Sequence, residues 1–298
     1  MPVKITFTAL VVAVALISAA PCVPAHAGDG APDSAAATAA APPPPPDSLA
    51  AAALERSPRH GEFVDVKRRS GGTPIRTWIV YPERRDRAPV VLVVHEIYGL
   101  TDWLRAVADQ LAREGFIAVA PDLISGLGPG GGGTDSTRSR DEVVRLIRSL
   151  TPEETRARLD DVRAYAVALP AASSRVGTVG FCWGGSRSFE YAAADPPPHA
   201  AVVYYGSSPD SATLARVGAP VLGLYGGDDA RVNATIEPAR AALGSTGRRY
   251  EPNVYDGAGH GFLRAQELRD GANLEASRRA WPRTIAFLRE HLEREEDR

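Results

Sequence analysis

Residues 90–94 are apolar without a break, as a β-strand must be when helices cover it on both faces. That run argues against a half-exposed sheet and sets the reading of its neighbours. Helical spacing follows at Trp103, Val107 and Leu111, with Thr101 or Asp102 as N-cap. A second buried strand is expected over residues 116–120. Thr151-Pro152-Glu153-Glu154 is a capping box with proline at the first helical position, and Leu159, Val162, Ala166 and Leu169 supply the apolar stripe behind it. Further strands are read over residues 176–181, 201–204, 221–225 and 250–255, with a helix over 186–194 after the first of them. Trp281, Ile285, Leu288 and Leu292 mark a last helix, which Pro282 either kinks or starts. Ahead of all these, residues 63–67 and 75–81 alternate apolar with polar side chains around Gly71-Gly72, the pattern of an antiparallel hairpin. Strands alternating with helices predict an α/β fold with a mostly parallel central sheet and helices on both faces.

The start of the chain has a different character. Lys4 precedes an apolar stretch ending near Ala20, and Ala25-His26-Ala27 offers small residues for cleavage before Gly28, so residues 1–27 read as a signal peptide. As a membrane anchor the stretch is short against the roughly 20 residues a spanning helix needs, and no basic cluster follows it. The protein is therefore expected to be exported, periplasmic or secreted, with no stable membrane partner once the leader is cut. Residues 28–60 are rich in Ala and Pro and carry few large apolar side chains to offset the entropy of ordering, so a disordered or polyproline tether is expected there. Residues 61–298 are then one domain, about 240 residues, enough for a single large core. With 34 basic and 36 acidic residues the net charge is −2, which gives no support for a nucleic-acid partner.

Cleavage would remove Cys22 and leave Cys182 as the only thiol, unable to form an internal disulfide. Its setting is Gly180-Phe181-Cys182-Trp183-Gly184-Gly185, at the turn from a strand into a helix. Gly226-Gly227-Asp228-Asp229 and Gly257-Ala258-Gly259-His260-Gly261-Phe262 follow downstream, each just after an expected strand. Nucleophile, acid and histidine in that order are the triad order of the α/β-hydrolase fold, with cysteine where serine is usual. Ligands of such sheets bind beyond the carboxyl ends of the strands, where all three groups fall. A helix N-terminus lowers a thiol pKa, His260 can share the proton, Asp229 can fix the imidazole tautomer, and the Trp183 N–H can stabilise an oxyanion. Taken singly, Cys182 reads as a buried structural thiol, Asp229 as a helix cap and His260 as a solvated loop residue; order and strand-end placement together favour chemistry. No metal-ligand spacing appears and no cofactor is called for.

With these residues in place, the chain resembles the dienelactone hydrolase family, the carboxymethylenebutenolidases, over about residues 61–292. The most specific segments are His95-Glu96-Ile97-Tyr98-Gly99-Leu100, Ala120-Pro121-Asp122-Leu123 and the three stretches around Cys182, Asp229 and His260. The resemblance implies a Cys182, Asp229 and His260 triad, with Asp229 preferred to Asp228 because the family pattern is Gly-Gly-X-Asp. It implies the Ile97 N–H as second oxyanion donor and Glu96 as a carboxylate that contacts the resting thiol and is displaced by substrate. It implies Arg264 as a partner of the substrate carboxylate and of the displaced glutamate, and a second arginine that Arg138, Arg140 and Arg145 all stand near enough to supply. The expected activity is hydrolysis of small lactones or carboxylic esters, anionic ones included, through a thioester acyl-enzyme. The leader and tether do not suit a cytoplasmic aromatic-degradation enzyme, so no pathway is inferred. The glycine-rich stretch 128–133 has no Gly-Lys-Ser/Thr closure and is no phosphate loop; it reads as a disordered insertion or a mobile lid. Two alternatives stand beside this reading. One is a non-catalytic exported binding protein on the same scaffold; the other, a thiol redox sensor, lacks a resolving cysteine.

Overall fold

The structure, a computed structural model, describes residues 1–4 and 41–293. The expected cleavage site, Cys22 and the first part of the expected tether lie outside these residues. From Ala41 onward the elements run α1 (Ala50–Glu55), β1 (Gly61–Val66), β2 (Ile75–Val80), β3 (Ala88–Val94), α2 (Asp102–Arg113), β4 (Ile117–Pro121), α3 (Arg140–Ser149) and α4 (Pro152–Val167). They continue with β5 (Ala172–Phe181), α5 (Trp183–Tyr191), β6 (Ala200–Tyr204), α6 (Ser211–Leu214), β7 (Val221–Gly226), α7 (Ala230–Asn233), α8 (Ile236–Ser245), β8 (Tyr250–Tyr255) and α9 (Ala272–Leu292).

The strands form one sheet in the order β1-β2-β4-β3-β5-β6-β7-β8. β1 and β2 pair antiparallel, β2 meets β4 antiparallel, and every pairing from β4 to β8 is parallel. This is the α/β-hydrolase arrangement.

Alternation along each buried strand divides the core. Val91, Val93, Phe181, Val202 and Leu224 face one layer with Trp103, Leu104 and Leu111 of α2 and Trp281, Ile285 and Leu288 of α9. Val90, Leu92, Val94 and Val119 face the opposite layer with Val143 and Ile147 of α3 and Leu159 and Val162 of α4. Farther along that second face, Val203 and Val221 meet Phe189 of α5 and Ala239 and Leu243 of α8. Each strand residue is removed from water whichever way it points, which is why residues 90–94 tolerate no polar side chain.

Local signals set the helix ends. Thr101 Oγ1 accepts from the Leu104 N–H at the start of α2, and Thr151 Oγ1 accepts from the Glu154 N–H at the start of α4. The Glu154 carboxylate does not reach back to close a capping box. It accepts from Arg68 Nη2 and from Nε of the buried Arg158, each at 2.8 Å. α9 begins at Ala272, so Pro282 lies inside the helix and does not start it.

Two expectations need correction. The tether reading fails for residues 41–60, which are held on the domain by polar contacts together with the packing of Ala41 and Leu54 against the core. Gln110 Nε2 donates to Pro42 O at 3.0 Å and Gln266 Nε2 to Pro44 O at 2.8 Å. Asp47–Leu49 form a 3-10 turn, α1 packs on α2, Ala50 is fully buried, and Arg59 pairs with Asp109 at 2.5 Å. The disorder reading of residues 128–133 fails as well. Asp122 Oδ2 accepts from the Thr134 N–H at 2.6 Å and Oδ1 from Thr134 Oγ1 at 2.9 Å, and the loop closes on itself through Gly128 N–H to Gly132 O at 3.0 Å.

Candidate active site

The site is built on the carboxyl ends of β3, β5, β6, β7 and β8. Register fixes the first neighbours. Val94 of β3 lies opposite Gly180 of β5, so two residues farther on Glu96 comes beside Cys182. Cys182 sits between β5 and α5 at φ 54° and ψ −116°, a conformation costly for a residue with a Cβ. The turn holds because its neighbours are glycines. A Cβ on Gly184 would lie 2.3 Å from the carbonyl oxygens of both Val94 and His95, and one on Gly180 would lie 2.0 Å from Gly184 O. The Cys182 N–H donates to Tyr204 O at 3.0 Å and ties the turn to the end of β6.

His260 Nε2 lies 3.1 Å from Cys182 Sγ, and His260 Nδ1 lies 2.6 Å from Asp229 Oδ2. Asp229 is 8% exposed and also caps α7, where its Oδ1 accepts from the Val232 N–H at 3.5 Å. The cap and the acid are thus one residue. Asp228 points elsewhere, to Arg269 Nη1 at 2.6 Å. The histidine loop is anchored by α9, whose Asn273 Oδ1 accepts from the Gly259 N–H at 2.9 Å. Phe262, fully buried against Tyr204, Tyr205 and Tyr255, pins its far side.

Burial and the neighbouring Glu96 carboxylate push the Cys182 thiol up to about 11. The backbone N–H groups of Trp183 and Ile97 both favour the thiolate, and they are the two donors that would face an oxyanion formed at this sulfur's reach. Arg231, exposed on α7, adds a smaller effect in the same direction. Glu96 is 5% exposed, and burial raises its carboxyl to about 7 against the opposing pull of Arg264. Arg264 Nε approaches Glu96 Oε2 at 2.9 Å as an ion pair, without the alignment of a hydrogen bond. On its other side Arg264 Nη1 donates to Asp47 Oδ2 at 3.3 Å.

The geometry distinguishes the three candidate arginines. Arg140 lies over the Tyr98 ring at 5.1 Å, and Arg264 stands 5.3 Å from the same ring. Arg145 pairs with Glu142 at 3.8 Å and lines a shallow surface hollow with Asp141 and Arg148. The Arg138 main chain donates to Glu142. Only Arg140 of the three is brought to the ring that Arg264 also flanks.

Tyr205 is a site residue that the sequence reading missed. It follows β6 at φ 40°, is fully buried, and packs edge-on against His260 at 5.2 Å, with its hydroxyl buried near the Glu96 carboxylate but making no hydrogen bond among the described residues. Its signal was a position just past a buried strand, the same one that marks Cys182, Asp229 and His260. His95 opens the His95–Leu100 segment, where the sequence alone assigns it no role. It is buried, with Nδ1 2.8 Å from Glu96 O and Nε2 accepting from the Leu123 N–H at 3.2 Å, and so joins the Glu96 turn to the Asp122 loop. Among the described residues no three His, Cys, Asp or Glu side chains cluster as metal ligands.

Residues 75–292 match the model of the dienelactone hydrolase family. The chain belongs to the dienelactone hydrolase family. The carboxymethylenebutenolidase of Pseudomonas sp. strain P51 is 31% identical over 214 residues, covering 69% of this chain and 86% of that protein. A "Putative carboxymethylenebutenolidase" of Salmonella typhimurium is 31% identical over 234 residues, 74% of this chain and 85% of that one. Among solved structures, a "Putative Dienelactone Hydrolase" from Klebsiella pneumoniae superposes with a TM-score of 0.67 at 28% identity, covering 77% of this chain and 98% of its own. As a dienelactone hydrolase family member, the chain is a hydrolase acting on carboxylic ester bonds.

Proposed function

We propose that the protein hydrolyses small carboxylic esters and lactones with Cys182 as nucleophile, through a thioester acyl-enzyme. The observation that carries this reading is the continuous contact from Cys182 Sγ through His260 to Asp229, beside two backbone N–H groups that favour the thiolate. His260 takes the thiol proton, and the thiolate attacks the substrate carbonyl. The carbonyl oxygen becomes an oxyanion between the N–H groups of Ile97 and Trp183. Collapse breaks the ester C–O bond, His260 returns the proton to the leaving oxygen, and the acyl group stays on sulfur. Water, losing a proton to His260, then attacks the thioester and expels the thiolate. A thiolate leaves readily, which suits activated esters and lactones better than amides. In a lactone the leaving oxygen remains tethered to the acyl chain, so a single product results.

The test is intact-mass measurement during steady turnover of 4-nitrophenyl acetate. One acetyl group is expected on the protein, labile to hydroxylamine and absent from Cys182→Ala. An unmodified mass throughout fast turnover would argue against the acyl-enzyme. The same spectrum reads the mature N-terminus, expected at Gly28 in protein recovered from an exporting host if the leader is cut as proposed.

Glu96 serves in this reading as the group that holds the resting thiol protonated. Two negative charges side by side are disfavoured, so the carboxylate and the thiolate exclude each other until Glu96, already paired with Arg264, moves away from the sulfur or takes up a proton. Glu96→Gln is therefore expected to raise the rate of iodoacetamide alkylation of Cys182 at pH 8 by roughly 3- to 10-fold. In the wild type alkylation should climb with pH toward the thiol's value of about 11. The variant's curve should lie at lower pH, because removing the carboxylate's charge lowers the thiol pKa. Coincident curves would mean that Glu96 exerts no hold on the sulfur.

An anionic substrate would find Arg264 as the cation closest to Glu96, yet that guanidinium already faces two carboxylates of the chain itself. No particular contact favours the alternative of a binding protein without turnover.

A further inference from the structure

Arg264 is enclosed from two sides. Glu96 holds its Nε from the interior at 2.9 Å, and Asp47 takes Nη1 from the solvent side at 3.3 Å. Asp47 precedes β1 and belongs to the 41–58 segment, yet it reaches the same guanidinium as the carboxylate beside the thiol. The contact is doubled at the backbone, where the Asp47 N–H donates to Arg264 O at 3.0 Å. Neighbouring bonds fix the segment: Pro44 O accepts from Gln266 at 2.8 Å, and Ser48 hydrogen-bonds Glu267. Asp47 is thus positioned by its surroundings. Its carboxylate meets Arg264 where both side chains are partly open to solvent, 39% and 24% exposed.

A guanidinium binds an incoming carboxylate through two parallel N–H bonds, and here one outer donor, Nη1, already serves a carboxylate of the same chain. A substrate carboxylate coming from solvent would have to displace Asp47 and would also meet its charge. A neutral ester meets neither obstacle. We propose that Asp47 is a specificity-determining residue that occupies the carboxylate seat on Arg264 and turns the site toward uncharged esters and lactones. This rests on the cysteine-hydrolase reading above.

The experiment compares kcat/KM for mono-4-nitrophenyl adipate and for its methyl ester, which share one acyl chain and differ in one charge. Turnover by Cys182→Ala is subtracted throughout. The wild type is expected to favour the methyl ester. Asp47→Asn should raise the ratio of anionic to neutral kcat/KM on the order of tenfold, because it frees a charge-assisted donor for the substrate and removes a repulsion. Asp47→Glu should keep the ratio low, and Asp47→Asn combined with Arg264→Gln should abolish the rise. A ratio within about twofold of wild type in Asp47→Asn, with Cys182-dependent turnover intact, overturns the inference while leaving the hydrolase reading standing. A lowered melting temperature with that same unchanged ratio overturns it too, since it assigns Asp47 to docking the segment alone. Absence of Cys182-dependent turnover of either ester sinks the hydrolase reading, and this inference with it.

Discussion

Cys182→Ala is expected to lower kcat for 4-nitrophenyl acetate by at least about 10³-fold, with the fold unchanged. The sulfur is the only atom at the turn that can attack a carbonyl, and a methyl group in its place leaves His260 with no proton to move. The binding surface and the N–H groups of Ile97 and Trp183 remain, so the residual rate should stay above that in buffer. His260→Ala should cost a similar factor and the double variant little more, because groups that act as a unit do not contribute additively. Cys182→Ser should also lose most of the rate, since an alcohol beside the Glu96 charge is far harder to ionise than a thiol. Initial rates of nitrophenolate release check each variant, with far-UV circular dichroism as the control for folding. Retention of more than a tenth of wild-type kcat by Cys182→Ala would remove the sulfur from the mechanism.

Gly184→Ala is expected to damage stability and rate together. The added Cβ would stand 2.3 Å from two backbone oxygens, those of Val94 and His95, and neither can swing aside as a long side chain would. Either α5 lifts from the end of β3 or the peptide leading into Glu96 and Ile97 shifts. Overpacking of this kind costs about 1–3 kcal/mol, which in a domain of this size lowers Tm by roughly 2–12 °C. Movement of the Ile97 N–H relative to Cys182 by about an ångström would cost on the order of 10² in kcat. Calorimetry and steady-state rates measure both effects. A variant with unaltered Tm would mean that the turn has slack which these distances do not suggest.

Much of this was legible in the sequence because strands buried on both faces leave an unbroken apolar record, and because the chemistry is attached at their ends. Residues 90–94 needed no context, and the glycines around Cys182 state the steric demand of the turn directly. Helix α3 was legible too and was overlooked. Ser139 caps it through the Glu142 N–H, and Val143, Leu146 and Ile147 form its stripe. The 41–58 segment was not legible. What holds it is proline carbonyls meeting the amides of Gln110 and Gln266, the buried Ala50, and Leu54 alone among the alanines of α1, too little to leave a periodic pattern. Asp47 escaped for the same reason: its partner Arg264 stands more than 200 positions away, and no spacing rule spans that interval. Tyr205 and Arg140 belong between these cases. Their positions relative to β6 and to Tyr98 could be guessed, but their selection over neighbouring tyrosines and arginines needed coordinates.

Five strand ends, those of β3, β5, β6, β7 and β8, deliver the groups of the cleft, and no two of these strands share a loop. Their mutual distances are set by the hydrogen-bond ladders between the strands, so the rate of ester cleavage reads out the alignment of the whole parallel region at once. The antiparallel edge, β1 and β2, is not among these five strands, and fraying there would pass unseen by any substrate.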